Sequence, residues 1–337
     1  MAKAGASEKS FKPVMTVRGP ISSEELGVTL VHEHMAFAYP GWYADESVAP
    51  YDREAVVAKC LNVIEDLKAL GVRTVIDATQ ADVGGRDPIL LRDLSLRSDI
   101  NIIAVTGLFT ENLGATSYYK INAAVAGRNL EEDFYELFMK EITVGIGKSG
   151  VKAGLLKVAT GDPEISDYEK TVIKAAVRAA KETGVPIITH TDGGTVGLRQ
   201  QELFLSLRAD SRKIMIGHQN NTADNDYHLA QLQNPHFYIG FDRMSVTPPT
   251  GVSPAAAEES LIALLKRGYA DRIMLSHDYV ANWLGRPMTP PASVGWADWY
   301  PTYIFKKLIP KMKAAGVTDD QIHTMLVKNP RRFFDGE

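Results

Sequence analysis

Two histidines, His32 and His34, flank Glu33 at the end of an apolar run that begins at Val28. Successive side chains of a β-strand point to opposite faces, so both imidazoles would face one side and the glutamate the other. Two imidazoles on one side can bind a single ion, although nearby histidines are more often surface or hydrogen-bonded residues. The pair alone therefore leaves metal binding and a structural role both open.

Other ligand-type residues also follow short apolar runs. They are His190 after residues 185–189, His218 after residues 214–217, and His277 with Asp278 after residues 273–276. If these runs are strands of one parallel barrel, their carboxyl ends open onto the face where barrel enzymes build active sites. Such residues at four strand ends favour a metal site over independent structural histidines. We expect the remaining histidines to be surface or capping residues: His228, His236 and His323.

Lys157 lies within residues 154–160, at the end of the apolar fourth candidate strand, where an unpaired ammonium would be costly. A buried lysine either finds a carboxylate partner or has its pKa lowered from about 10.4. A neutral amine can also add carbon dioxide, and the two oxygens of the resulting carbamate can bridge two divalent ions. The neighbouring histidines favour the carbamate, and a salt-bridged or exposed lysine is the alternative.

Short apolar runs alternate with amphipathic helical patterns along the chain. The candidate strands are residues 28–31, 73–77, 101–106, 154–158, 186–189, 213–217, 237–241 and 272–276. Several are rich in Ile and Val, which is typical of strands covered on both faces. Strand and helix repeated about eight times predict an α/β fold, a (β/α)8 TIM barrel. An open doubly wound sheet is disfavoured because its glycine-rich phosphate loop is missing after the first strand.

No Gly/Ser-rich or Pro-rich linker interrupts this repeat. We therefore expect one barrel domain over residues 15–337, preceded by a short flexible leader over residues 1–14. Several helix boundaries can also be predicted. They are an N-cap at Asp52, capping boxes at Ser166–Glu169 and Thr318–Gln321, and a helix stop at Pro330.

Composition narrows the functional classes. The 337 residues carry 37 Lys and Arg against 41 Asp and Glu, a formal net charge of −4. Dispersed basic residues give no support to nucleic-acid binding. The single cysteine, Cys60, can form neither an internal disulfide nor a thiolate metal cluster. No run approaches the ~18 apolar residues of a membrane span, and the polar start is unlike a signal peptide, which predicts a cytoplasmic protein with no membrane partner.

Seven motifs together resemble the phosphotriesterase family of the amidohydrolase superfamily, over about residues 17–334. They are Val31–His34, Gly154–Ala159, Ile187–His190, Ile216–His218, Ile239–Arg243, Leu275–Asp278 and Asn329–Phe334. The short stretch from Phe237 to Arg272 and its Asp-Arg pair most resemble the phosphotriesterase-like lactonase branch.

The resemblance implies a binuclear centre. Its ligands would be His32, His34 and Asp278 for one divalent ion, His190 and His218 for the second, and Lys157, as N6-carboxylysine, between the two. A bridging hydroxide would attack a lactone or related ester, because two Lewis acids lower the pKa of bound water toward neutrality. Asp278 would take the proton or act as a ligand only. Zinc is expected, Co, Mn, Fe and Ni suit the same ligands, and the likeness also suggests a homodimer.

Three residues are candidates for the substrate pocket: Phe109, Arg243 and Trp283. Phe109 stands where related enzymes carry an aromatic residue, often Tyr, and packing within its loop is the alternative. Arg243 resembles the family arginine near the substrate, whereas pairing with Asp242 would make it structural only. Trp283 belongs to the aromatic segment 280–300, which we expect to form a substrate lid with an apolar wall. A dimer contact or packing onto the barrel is the alternative for this segment.

The sequence therefore predicts a binuclear metal-dependent hydrolase of lactones or related esters, with promiscuous activity on phosphotriesters. Two alternatives stay open. A mononuclear amidohydrolase or deaminase would hold one metal per chain and an unmodified Lys157. An inactive metal-bearing barrel would use its aromatic segment to bind a ligand or a protein, and substitution of Asp278 would then change no reaction rate.

Overall fold

The computed structural model describes residues 13–247, 250–286, 288 and 299–337. The expected leader lies outside these residues apart from its last two, Pro13 and Val14. Val14 begins an antiparallel hairpin of strands β1 (Val14–Thr16) and β2 (Gly19–Ile21), which precedes the barrel.

Eight parallel strands form the barrel and confirm the predicted fold. In chain order they are β3 (Val28–Phe37), β4 (Val72–Asp77), β5 (Asn101–Thr106), β6 (Leu155–Thr160), β7 (Ile187–Thr191), β8 (Ile214–Ile216), β9 (Tyr238–Phe241) and β10 (Ile273–Leu275). Each strand pairs in parallel with the next along the chain. All carboxyl ends therefore lie at one end of the barrel.

The ring closes between the last strand and the first. Directly after β10, the amide of Asp278 donates to the His32 carbonyl (3.0 Å), and the amide of His34 donates to the Tyr279 carbonyl (2.9 Å). The chain continues as β11 (Val280–Trp283), which lies parallel to β3. The aromatic segment 280–300 therefore begins as a strand, because β3 extends well beyond its predicted end at Val31 and provides an edge for pairing.

Helices connect the strands and pack around them. They are α1 (Arg53–Ala69), α2 (Pro88–Ser98), α3 (Thr116–Ala126), α4 (Leu130–Thr143), α5 (Asp167–Thr183), α6 (Gly197–Ser206), α7 (Asn225–Gln233), α8 (Pro254–Lys266), α9 (Ile309–Ala314), α10 (Asp319–His323) and α11 (Asn329–Asp335). The N-cap at Asp52 is confirmed, and so are both capping boxes. These local signals therefore place three helix starts.

The predicted helix stop at Pro330 is wrong. A π-helical turn over Thr324–Lys328 leads directly into α11, and Pro330 is the second residue of that helix. A second π-helical turn, Ile304–Leu308, likewise precedes Pro310 at the start of α9. Proline cannot donate the i→i−4 hydrogen bond. The backbone adopts a wider π-helical turn before each proline, and the helix continues through it.

The barrel interior is apolar at the end away from the carboxyl termini of the strands. Fourteen buried side chains form this cluster, which we call the apolar end: Val14, Leu26, Val31, Ile76, Ala78, Ile103, Val105, Leu155, Ile188, Met215, Tyr238, Met274, Phe333 and Phe334. A larger cluster joins helices to the outer face of the strands. Within the described parts of the chain, no helix has the length and apolar character needed to cross a membrane.

Candidate metal centre

The side chains predicted as metal ligands converge at the carboxyl ends of the strands. They come from β3 (His32, His34), β6 (Lys157), β7 (His190), the residue pair after β8 (His218) and the segment after β10 (Asp278). His34 and Asp278 are 244 positions apart in sequence, yet Nε2 of one lies 3.1 Å from Oδ1 of the other. The parallel barrel therefore assembles these residues as the sequence predicted.

Asp242 holds two of the histidines. Its Oδ2 lies 2.8 Å from Nδ1 of His32, and its Oδ1 lies 3.1 Å from Nδ1 of His218. The His218 amide also donates to Oδ1 (2.6 Å), and the two imidazoles stack with centroids 4.7 Å apart. Asp242 is fully buried. Because Asp242 occupies both Nδ1 atoms, Nε2 of each ring is the nitrogen left to bind a metal.

The other two histidines are oriented in the same way by different partners. Nδ1 of His34 lies 2.8 Å from the Thr79 hydroxyl, and Nε2 of His190 lies 2.6 Å from Oδ1 of Asp192. The opposite nitrogen of His190, Nδ1, lies 2.9 Å from Nε2 of His218. Each imidazole therefore presents one nitrogen to the centre while a polar side chain engages the other.

Asp278 lies in the middle of this group. Its Oδ1 is 3.1 Å from Nε2 of His34 and 3.2 Å from Nε2 of His32, and its Oδ2 is 2.8 Å from Nε of Arg243. Burial alone would raise the pKa of Asp278, but His32, Arg243 and His218 hold it well below its usual range. His32, His218 and Asp278 each offer a ligand atom within 4.8 Å of the others.

Lys157 is buried beside His32. Its Nζ lies 3.1 Å from Nε2 of that histidine and donates to the Thr189 carbonyl (2.9 Å). Burial lowers the pKa of Lys157 to about 7, and the carboxylates of Asp242 and Asp278 oppose the shift only in part. A substantial share of the amine is therefore neutral near pH 7.

The donor set fits divalent metal ions. Burial lowers the pKa of His32 to about 4, assisted by Lys157, and burial also lowers the pKa values of His190 and His218. These imidazoles are neutral at neutral pH, the form that binds metals, and Asp278 is ionised. Neutral imidazoles around one carboxylate match the ligands that zinc and related ions take.

A cavity of about 690 Å³ opens above these residues. Five of the predicted ligands line it, and the wall around them is mostly apolar. The wall includes Phe37, Tyr39, Phe109, Leu113, Val246, Val280, Trp283, Met288 and Trp299. The cavity has the size and apolar character of a small-molecule site.

All three predicted substrate residues line this cavity. Phe109 packs edge-to-face on His190 with centroids 4.9 Å apart, and Trp283 packs on Phe37 at 5.5 Å. Arg243 pairs with Asp278, so the alternative in which it pairs with Asp242 is wrong. Residues 287 and 289–298 of the aromatic segment lie outside the described part of the chain. That the segment forms a lid, and not a dimer contact, therefore stays a prediction.

Comparisons with known proteins assign the chain to a protein family. The sequence profile of the phosphotriesterase family matches residues 12–334. The chain belongs to the phosphotriesterase family. A phosphotriesterase homology protein of Mycobacterium tuberculosis is 36% identical over 331 residues, which cover 95% of this chain and 97% of the relative.

Two solved structures from Deinococcus radiodurans are similar over nearly their whole length. One is an organophosphorus hydrolase with 39% identity and a TM-score of 0.92, covering 99% of this chain and 100% of that one. The other is a variant of a PTE-like lactonase with 39% identity and a TM-score of 0.91, covering 95% and 99%. The phosphotriesterase family is metal-dependent, and membership confirms the prediction of a hydrolase that acts on ester bonds.

Two residues that orient the histidines of this site, Asp242 and Thr79, are not predicted from the sequence, which suggests Asp242 only as a partner of Arg243. Both lie just past a strand, Asp242 after β9 and Thr79 two residues after β4. The signal that found the histidines, a polar side chain at a strand exit, applies to them equally. His228, expected as a surface or capping residue, is instead fully buried. Both of its ring nitrogens have partners there, Nε2 the Gln219 carbonyl (2.8 Å) and Nδ1 the Ser260 hydroxyl (3.2 Å).

Proposed function

We propose that this chain is a binuclear metal-dependent hydrolase of lactones and related esters, with weaker activity on phosphotriesters. The observation that carries the proposal is the convergence of four imidazoles, one carboxylate and one lysine at the base of a mostly apolar cavity. The D. radiodurans relatives, described as a PTE-like lactonase and an organophosphorus hydrolase, support the two substrate classes.

The proposed ligands divide into two groups that meet at the lysine. They are His32, His34 and Asp278 for one ion, His190 and His218 for the other, and Lys157, as N6-carboxylysine, between them. The lowered pKa of Lys157, about 7, supports the carbamate because only the neutral amine adds carbon dioxide. The orientation of each imidazole by a polar partner supports binding through the opposite nitrogen.

When bound, the two ions supply Lewis acidity toward the substrate oxygen and a water-derived nucleophile at neutral pH. The chain's own residues do the rest. Asp278, ionised and at the cavity floor, accepts the proton released as the ester bond is attacked. Arg243 places a guanidinium beside that carboxylate, where it can hold a substrate oxygen. Phe109 and Trp283 exclude water from the apolar part of the substrate.

Further assignments belong to the same proposal. We take residues 15–337 as one catalytic domain, zinc as the native metal, a homodimer as the assembly and the cytoplasm as the compartment. The single, buried Cys60 and the cysteine-free ligand set suit a reducing compartment. Sedimentation of the purified protein and elemental analysis of its metals test the assembly and the zinc assignment directly.

The deciding experiment combines metal analysis with a substrate panel. Metal-replete enzyme is assayed with several lactones, aryl esters and a phosphotriester, beside an Asp278→Asn variant. We expect two metal ions per chain, hydrolysis of a lactone with the highest kcat/KM, and loss of turnover in the variant. Absence of activity on every substrate overturns the proposal.

The mononuclear alternative draws on the compact triad of His32, His218 and Asp278, which suits a single ion. It predicts one metal per chain and an unmodified Lys157. Mass spectrometry under native conditions, which reports both the metal count and carbon dioxide on the lysine, separates it from the binuclear proposal.

A further inference from the structure

Glu33, the residue between the two histidines of β3, holds the segment that carries Asp278. Its carboxylate is buried and points away from the metal-binding side. Oε1 accepts hydrogen bonds from the Ser276 hydroxyl (2.8 Å), the His277 amide (2.9 Å) and Nδ1 of His277 (2.8 Å). Oε2 accepts from the Tyr279 amide (2.8 Å). All four donors therefore belong to residues 276–279.

The hydrogen bonds of His277 define its tautomer. The Ile304 amide donates to Nε2 (3.1 Å), so Nε2 is an acceptor and Nδ1 carries the proton that is donated to Glu33. The carbonyl of His277 accepts from Nε1 of Trp299 (3.0 Å), a residue of the cavity wall. His277 thus connects β3 and the helical turn that begins at Ile304 through its fully buried imidazole, and it reaches the cavity wall through its carbonyl.

Asp278 needs this support because its backbone has φ of +55°. The left-handed region is uncommon for residues other than glycine, and strained residues persist only where their surroundings fix them. Three successive amides are fixed by β3: those of His277 and Tyr279 by the Glu33 carboxylate, and that of Asp278 by the His32 carbonyl. The strand that supplies two predicted ligands also imposes the turn that presents a third.

We propose that Glu33 and His277 are a positioning pair, which keeps Asp278 in the left-handed turn that aims its carboxylate at His32 and His34. Neither residue lines the cavity. The kcat measurements below rest on the proposed function. The conformation of the turn does not, because it can be followed in metal-free protein by hydrogen exchange and NMR. The competing explanation is a buried hydrogen-bond network that adds stability and nothing else.

The first test is Glu33→Gln. Glutamine keeps one carbonyl oxygen but replaces the other with an NH2 group, which sets a donor against the donors of His277 or Tyr279. We expect kcat to fall about 10–100-fold with little change in KM, and metal content to be retained. In metal-free protein, hydrogen exchange at the amides of residues 277–279 is expected to accelerate about tenfold or more.

Variants of His277 separate positioning from bulk. His277→Asn keeps an N–H donor near the position of Nδ1, whereas His277→Leu keeps volume and removes the donor. We expect His277→Asn to retain most of the parental kcat and His277→Leu to lose it as Glu33→Gln does. A matched control is Glu141→Gln, which alters a buried carboxylate paired with Arg86 (2.6 and 2.8 Å), away from residues 276–279. This control is expected to keep the parental kcat.

Proton NMR of metal-free protein with labelled histidine gives a readout that does not depend on catalysis. The parent should show a downfield, exchange-protected Nδ1 proton for His277, which moves in Glu33→Gln and disappears in His277→Leu. Parental exchange rates and turnover in Glu33→Gln would overturn the positioning pair, as would equal kcat in the Asn and Leu variants of His277. If the parent hydrolyses none of the panel substrates, the proposed function fails, and the NMR and exchange results still decide this inference.

Discussion

The two ends of the barrel interior are built from the same strands and differ in chemistry. On β6, Leu155 lies two residues before Lys157, and on β7, Ile188 lies two residues before His190. Side chains two residues apart in a strand share a face, so each strand places an apolar side chain at one end and a ligand-type side chain at the other. All four side chains are buried to a similar degree.

This difference shows that one end of the barrel interior mainly stabilises the fold, whereas the other, which we call the ligand end, carries the predicted metal ligands. At the apolar end, burial of predominantly apolar side chains stabilises the fold at about 25 cal/mol per Å² of apolar surface. At the ligand end, burial keeps imidazoles neutral and lowers the pKa of Lys157, which costs folding energy and prepares the site. Substitutions among the predicted ligands should therefore lower activity without lowering stability, whereas substitutions at the apolar end should lower stability without lowering activity.

The largest contrast is expected for Lys157→Met, which removes the buried amine and keeps most of the side-chain volume. We expect a loss of at least about 10³-fold in kcat/KM, because the bridge between the proposed ions is gone. The metal-free protein should become more stable by about 1–3 kcal/mol, since a costly polar group has left the interior. Steady-state kinetics and urea unfolding measure the two effects.

Leu155→Met is the control for that substitution, on the same strand at the apolar end. It should change stability by less than about 1.5 kcal/mol and leave kcat at the parental value. Full turnover in Lys157→Met would show that the lysine is only structural.

Phe333→Ala tests the apolar end. Phe333 is fully buried between Tyr238 and Phe334, with centroid distances of 5.9 and 5.5 Å. Its removal should lower the unfolding free energy by about 3–5 kcal/mol, while the folded enzyme keeps its kcat. A fall in kcat per folded molecule would mean that the two ends are coupled and that the contrast between them is wrong.

Asp82 lies beyond the carboxyl end of β4, on the side of the barrel that carries the predicted ligands, and should make the free energy of unfolding depend on pH. Its carboxylate accepts from the amides of Phe109 (2.8 Å) and Ala115 (3.3 Å), and burial raises its pKa to about 6. The charged groups and phenols near it are Arg86, Tyr119 and Tyr168.

The folded state binds the Asp82 proton more tightly than the unfolded state, so stability is lost as pH rises from about 4 to about 6. Relative to Asp82→Asn, the parent should lose about 2 kcal/mol over this range and only a few tenths of a kcal/mol above it. Urea unfolding of both proteins between pH 4 and pH 8 measures the difference. A difference that does not change with pH contradicts the raised pKa.

The smallest effect is expected for Thr79→Val, which removes the hydroxyl beside Nδ1 of His34. Metal affinity, measured by competition with a chelator, should fall about tenfold because the ring loses its orienting partner. Thr29 lies near the start of β3, the strand that carries His34. Thr29→Val removes a buried hydroxyl that donates to the Gly27 carbonyl (3.0 Å). This control should keep the parental metal affinity. An equal loss of metal affinity in both variants would show that the Thr79 hydroxyl has no special role in orienting His34.

Local patterns in the sequence predicted the strands and the residues that follow them. β5 was predicted at its observed bounds, and His190 and His218 were placed at strand exits because an apolar run ending in histidine is a short-range signal. The capping boxes are equally local, since a serine or threonine followed three residues later by a glutamate or glutamine suffices. Fold and convergence follow once the strands are known to be parallel.

Pairings between distant side chains were not accessible in this way. Arg243 has Asp242 as its neighbour in sequence and Asp278 as its partner in space, and only the direction of each side chain decides between them. The pairing of β11 with β3 depends on how far β3 extends, and the left-handed turn at Asp278 depends on amides fixed by Glu33. Each of these outcomes depends on rotamers or register, which hydrophobic periodicity does not encode.

The closure of the barrel on β3 has a consequence for biosynthesis. A growing polypeptide presents His32 and His34 early, and Asp278 leaves the ribosome 244 residues after His34. Until then neither the closed ring nor the carboxylate beside His32 and His34 exists. Assembly of the proposed centre is thereby tied to completion of the fold, and a chain truncated before β10 would retain all four of the proposed histidine ligands without Asp278.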